Sequence, residues 1–164
     1  MKQVGLWITI IIISLLIGAC RKTEDVKITA TSVHESYGPE GLLKAAEPGW
    51  HARRTPVYPQ TVTFAFVNPQ QISQVGFLPQ SDHVSRFPKN VAVEISEDAD
   101  TWRSLFGLET WKEVAAVEND CKAPAEIWRE HRLGSAVRTG NNRLTILSNC
   151  GDPDLLTLRG VRFK

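Results

Sequence analysis

The segment after Pro59 constrains the fold most: Val62, Phe64 and Phe66 alternate with Thr61, Thr63 and Ala65. A period of two places the first set on one face of an extended strand and the second on the other, which a helix cannot do. The pattern recurs. Val26 to Val33 reads as an opening strand rich in β-branched residues, and Val91, Val93 and Ile95 point inward from another. Ile72 to Leu78, Arg143 to Ser148 and Leu155 to Phe163 complete the set, the last changing phase near Arg159-Gly160 as a β-bulge does. Asn68-Pro69, Glu97-Asp98-Ala99-Asp100 and Cys150-Gly151-Asp152-Pro153 are turn signals between the runs. Only residues 39–46 open like a helix, with Pro39 ahead of Leu42-Leu43-x-Ala45-Ala46. Leu108 to Val117 is ambiguous between a helix and a strand with Trp111 and Val117 on one face, and is taken as a strand. Nine Pro and eleven Gly in 164 residues cut the chain into short pieces without βαβ alternation, so the expectation is one all-β antiparallel sandwich.

The amino terminus reads as an address. Lys2, an apolar run from Val4 to Leu16 and the small residues before Cys20 form a secretory signal over 1–19. The run is shorter than the roughly 20 residues a spanning helix needs, and Arg21-Lys22 stops it. Ile17-Gly18-Ala19-Cys20 resembles the lipobox of bacterial lipoproteins, which implies cleavage before Cys20, a diacylglycerol thioether on its sulfur and an acylated amine. Residues 20–25 then form a lipidated tether and 26–164 the folded domain. Arg21, in place of the Asp that retains many lipoproteins in the inner membrane, favours the outer membrane of a Gram-negative host.

Losing residues 1–19 removes Lys2 and leaves basic and acidic side chains in balance, so no excess charge grips a nucleic acid backbone. Three cysteines less Cys20 leave Cys121 and Cys150, an even pair outside the cytoplasm, read as a disulfide. Two buried free thiols or a metal pair are the competing readings, and the metal pair lacks a His or Cys at ligand spacing. His34, His51, His83 and His131 fall in no catalytic or metal spacing, and there is no Gly-rich phosphate loop. An enzyme is therefore not expected, and neither is a cofactor.

Several segments, in order, resemble the discoidin domain, also called the coagulation factor five/eight type C domain, a jelly roll of the galactose-binding-like superfamily. They are Thr29-Ala30-Thr31-Ser32, Pro39-Glu40-Gly41, Trp50, Pro59-Gln60 before Thr61 to Val67, Phe77-Leu78-Pro79-Gln80, and Ile95 to Trp102 with its acidic turn. Asn142-Arg143-Leu144-Thr145-Ile146 is a degenerate form of the closing strand. The resemblance spans about residues 27–164 and implies a jelly-roll β-sandwich that presents a ligand on loops at one end. Tyr58-Pro59-Gln60 is also similar to relatives that bind proteins.

Two departures matter. Sugar-binding relatives carry an acidic loop before the Trp and a Glu near the carboxyl end that help hold calcium; here Ala45-Ala46-Glu47-Pro48-Gly49 and Gly160 stand there, so no metal is expected. Residues 118–141 read as a long polar insertion that a Cys121–Cys150 bridge would staple. The candidate ligand-binding residues are His51, Arg53 and Arg54 in the first loop, Asp82, His83 and Arg86 in the second, and Asn149 and Asp152 in the third. Trp50, Trp102 and Trp128 are assigned to the core, and Arg129-Glu130-His131-Arg132 to an exposed strand or rim. A membrane-anchored module for a carbohydrate of the envelope or exterior follows, with a protein-interaction or scaffold lipoprotein as the alternative.

Overall fold

The computed structural model describes residues 26–96 and 110–164. The signal, Cys20, the Glu97–Asp100 turn and Trp102 lie outside them. Among the described residues eight strands form in chain order: β1 (Val26–Ala30), β2 (Trp50–His51), β3 (Gln60–Leu78), β4 (Asn90–Ser96), β5 (Trp111–Glu118), β6 (Arg129–Ile146), β7 (Thr157–Leu158) and β8 (Gly160–Phe163). All pairings are antiparallel, and the strands build a jelly-roll-like β-sandwich. The helical opening becomes a 3-10 helix, Pro39–Lys44, closed by Ala45 in the left-handed region.

Two long strands make both layers. The first half of β3 pairs with β1 and with the second half of β6, and the order continues through β4 to β5. Beyond Gln70 the same β3 pairs with the first half of β6 and with β8. Phe64 in the first half and Phe163 on β8 meet edge to face at 5.1 Å without being ladder partners, so the halves face one another across the core. Phe64, Phe77, Phe87, Leu144, Ile146 and Trp50 are fully buried there.

Several local expectations change. Asn68-Pro69 does not end a strand: β3 runs through it, and between Ala65 and Gln70 it takes five steps where β6 takes two from Asn141 to Thr139. The turn signal produces a corner bulge, which tolerates a proline. Trp111 and Val117 fall on opposite faces, because a register shift between Val93 and Glu94 sets Val117 opposite Val91 but Trp111 opposite Ser96. Trp111 instead packs under the Arg143 guanidinium, which is forked onto Glu94. The last run is not one bulged strand, since β7 pairs with β2 and β8 with β3, Arg159 linking them. The polar insertion shrinks to residues 119–128, because 129–141 belong to β6. Arg129 is buried rather than exposed: its guanidinium donates to the carbonyls of Asp120, Ala123, Pro124 and Ile127 and so shapes that loop.

The registers define two poles. β1 ends, β3 begins and β6 ends at one pole, where residues 31–58, 79–89, 119–128 and 147–156 connect the strands. At the other, Val26 pairs with Phe66 beside the bulged corners of β3 and β6.

Candidate functional site

The three loops singled out in the sequence meet at the connecting pole. His51 on β2 pairs with Thr157 on β7, which brings the first loop to the third. Gly49 permits that approach, since at φ +79° a Cβ there would lie 2.6 Å from the Leu158 carbonyl oxygen. The Thr55 N–H donates to the Asp154 carbonyl at 2.8 Å. The second loop joins through Arg86, whose Nε donates to Asp152 Oδ2 at 3.2 Å, and through the Asp152 N–H to the Ser85 carbonyl at 3.0 Å.

These contacts divide the candidates into two groups. Asn149 holds its own turn, donating to the Asp152 and Leu155 carbonyls and accepting the Gly151 N–H at 2.9 Å. Asp152 accepts from the N–H groups of Asp154 and Leu155, each at 2.9 Å, besides Arg86. Burial raises its carboxyl, but those bonds and the Arg86 charge outweigh it and hold the group below the usual carboxylate range. Asn149, Asp152 and Arg86 therefore fix the loops to each other. Arg53, Arg54, Asp82 and His83 are exposed, and among the described residues no ion pair takes up their side chains. They are free to meet a ligand.

His51 belongs to neither group. Its ring is largely buried, stacked on Tyr37 with centroids 4.4 Å apart, and its Nε2 lies 3.4 Å from the Pro48 carbonyl oxygen. Burial pushes its pKa down, opposed by the Pro48 carbonyl and reinforced by His34 and Arg86, so the imidazole is held neutral. Trp50 is fully buried with its Nε1 donating to the Ser32 carbonyl at 2.9 Å, which removes it as a stacking surface. Tyr37, half-buried, takes that place and lines a cleft of about 240 Å³ with Glu40, Glu47, Pro48 and Gly49. Glu47 is anchored by Ser81 and by Arg159 at 2.9 Å. Tyr37 was not singled out in the sequence. The signal was an aromatic residue inside the polar stretch His34-Glu35-Ser36 just ahead of the Gly38-Pro39 helix start.

Gln60, in the stretch similar to protein-binding relatives, is buried and structural: it accepts from the Thr31 and Ser32 hydroxyls and donates to the Val57 carbonyl. Cys121 and Cys150 form a disulfide with Cα atoms 5.6 Å apart, tying residues 119–128 to the third loop. The calcium-holding positions do not fit an ion. A Cβ on Gly160 would lie 2.9 Å from the Ala45 Cβ and 3.0 Å from Trp128 Cη2, so the space a carboxylate needs is filled. Among the described residues no group of three or more His, Cys, Asp or Glu could hold a metal.

The F5/8 type C domain model matches residues 27–148. The chain belongs to that family. The family matched is one of non-catalytic modules. Solved structures share its fold at low identity. CpGH89CBM32-5 from Clostridium perfringens, in complex with GalNAc-β-1,3-galactose, is 21% identical with a TM-score of 0.63, covering 84% of this chain and 94% of that one. The family 32 carbohydrate-binding module of C. perfringens NanJ, in complex with galactose, is 11% identical with a TM-score of 0.65, covering 84% and 92%. Chitosan-binding module 1 of a chitosanase/glucanase from Paenibacillus sp. IK-5 is 14% identical with a TM-score of 0.63, covering 84% and 93%. A search of the curated proteins found no match.

Proposed function

We propose that this F5/8 type C domain is a non-catalytic binding module for a carbohydrate of the cell envelope or exterior, held to a membrane by diacylglycerol on Cys20. One observation carries the reading: the three polar loops converge on one pole, where Arg53, Arg54, Asp82 and His83 are exposed, and the Tyr37 cleft joins two of those loops, since Tyr37 stacks on His51 and Glu47 in the cleft wall accepts from Ser81. A half-buried aromatic ring backed by His51 offers an apolar face to a sugar's C–H groups, and Arg forks donate paired hydrogen bonds to hydroxyls or carboxylates. The sugar-bound and chitosan-binding relatives of the same fold support this ligand class. The lipobox-like Ile17 to Cys20 supports the anchor, and Arg21 supports the outer membrane of a Gram-negative host. Among the described residues no helix is long and apolar enough to cross a membrane.

A protein-interaction or scaffold lipoprotein is the second reading, favoured by one feature. Val57 is 81% exposed and Leu147 is 52% exposed at the same pole, apolar side chains that a protein partner would cover. The deciding experiment uses the lipid-free Cys20→Ser chain in a glycan array followed by calorimetry. Saturable binding of a neutral sugar or uronate, lost in Tyr37→Ala, is the expected result. No saccharide binding, together with a stoichiometric crosslinked envelope protein, would replace the first reading with the second.

A further inference from the structure

We propose that the corner formed by residues 66–71 and 137–141 is the membrane-facing surface of the protein, its occupant the lipid headgroup layer in which Cys20 is anchored. The inference rests on the lipid anchor proposed above and adds an orientation to it. Val26, the first residue of β1, pairs with Phe66, so the tether enters the sandwich at this corner. From there β1 leads away through Ala30, opposite Val62, to Ser32, which binds the Trp50 indole and the Arg53 N–H. Entry point and binding loops are thus at opposite ends of the same strand.

Distances decide whether the body could turn over. From Cys20 to Val26 is six residues, a contour of about 20 Å at full extension. A compact domain of this size has a radius of gyration of about 14 Å and hence a diameter of roughly 35 Å. From Val26 to Ser32 the extended chain already spans about 20 Å, and the loops project beyond Ser32, so laying the loop pole on the bilayer would lift Val26 beyond the reach of the tether. The corner therefore stays near the headgroups, and the loops face away.

The chemistry of the corner suits that position. The register sets Gln70 opposite Thr139 and Gln71 opposite Arg138, joining the two bends into one surface. Val67 is 71% exposed at its tip beside exposed Asn68 and Pro69. Residues 66–71 and 137–141 contain no carboxylate, exposed Arg138 and Lys27 add attraction to anionic headgroups, and in the tether Arg21 and Lys22 balance Glu24 and Asp25. A single exposed valine cannot hold a protein to a bilayer by itself, so the contact depends on the acyl chains.

The experiment uses the full lipidated chain with single cysteines introduced as Asn68→Cys or Val57→Cys. With Cys20 acylated and Cys121 bridged to Cys150, each carries one free thiol. An environment-sensitive fluorophore is attached, and the protein is placed in phosphatidylethanolamine/phosphatidylglycerol vesicles with headgroup-quencher lipids. A blue shift and quenching at position 68, and solution-like emission at 57, are expected. Quenching at 57, or at neither position in vesicle-bound protein, overturns the orientation. Absence of a diacylglycerol adduct on Cys20 in the mass of the mature amino-terminal peptide overturns the anchor itself and the orientation with it, and that failure is read separately from the fluorescence.

Discussion

Arg86 and Asp152, 66 residues apart, join the second and third loops of the connecting pole through a guanidinium Nε 3.2 Å from a carboxylate oxygen. Both side chains are mostly buried, and Asp152 also accepts two backbone N–H groups. Asp152→Asn is expected to lower stability by roughly 1–3 kcal/mol, the range for a buried charged hydrogen bond. The folded carboxyl titrates below its unfolded value, so its contribution is complete above the unfolded pKa of about 4 and is lost as pH falls through the folded one. Thermal unfolding across the acid range should show a smaller pH dependence in Asp152→Asn than in the parent. An unchanged acid limb would mean that the pair carries no such role.

The parts of the fold that were legible depend on local periodicity. Val62 and Phe64, and Val91, Val93 and Ile95, face the core as alternation demands. What the sequence hid depends on partners far along the chain. Pro69 reads locally as a stop, yet β6 supplies the bulged register that lets β3 continue. Trp111 and Val117 share parity, and only the Val93/Glu94 shift separates their faces. At the site, polar loops were visible, but Arg86 and Arg54 look alike until Asp152 is seen to hold the first and nothing described holds the second. Arg129 looked solvated because the four carbonyls that bury it belong to a loop whose shape it sets.

Reduction of Cys121–Cys150 should destabilise the protein by about 3–4 kcal/mol on the chain-entropy model for a loop of this size. The bridge lies at the connecting pole, so the strand ladders should persist below the lowered melting temperature and only the 119–128 and 147–156 loops should loosen. Calorimetry with and without reductant measures the first, and hydrogen exchange the second. Two alkylatable thiols in protein taken directly from the envelope would show that the bridge is not the native state.

His51 gives the site a pH dependence. Burial lowers its pKa below the ordinary value of 6.5, and burial does the same for His131, whose Nε2 meets Asn119 Oδ1 at 2.9 Å. Between the folded pKa and about 6.5 the unfolded chain binds more protons than the folded one, so stability rises with pH through that window. Above it both imidazoles are neutral in either state and the dependence vanishes. Ligand affinity at the Tyr37 cleft, a property of the folded protein, should hold through that window and weaken only below the folded pKa, where the His51 imidazolium forms on the stack. Ring-proton titration by NMR reads the two pKa values directly, and a His51 value at or above 6.5 would remove the effect.

Trp50 and Tyr37 should separate stability from binding. Trp50 is fully buried and hydrogen-bonded, so Trp50→Ala is expected to cost about 3–5 kcal/mol through the cavity it leaves. Tyr37→Ala removes a half-buried ring and should cost no more than about 1–2 kcal/mol while abolishing sugar binding. Melting curves beside calorimetric titrations distinguish the two. Full binding by Tyr37→Ala would move the ligand out of the cleft.

Gly160→Glu tests whether a metal site is only one residue away. The Glu would restore the acid expected near the carboxyl end, but its Cβ would press on Ala45 and on the edge of Trp128, whose ring is already covered by the Arg162 guanidinium at 4.1 Å. Neither neighbour is the loose end of a flexible chain, so the variant should lose roughly 1–3 kcal/mol as an overpacked position does. Ala45 and Ala46 add no oxygen ligands from their side chains, and calcium needs six to eight oxygens, so the new carboxylate would stand almost alone. Melting temperatures of the parent and of Gly160→Glu should both be indifferent to millimolar calcium, the variant simply melting lower. A calcium-dependent rise in the variant would mean that Ala45 and Trp128 can yield and that backbone oxygens complete the ligand set.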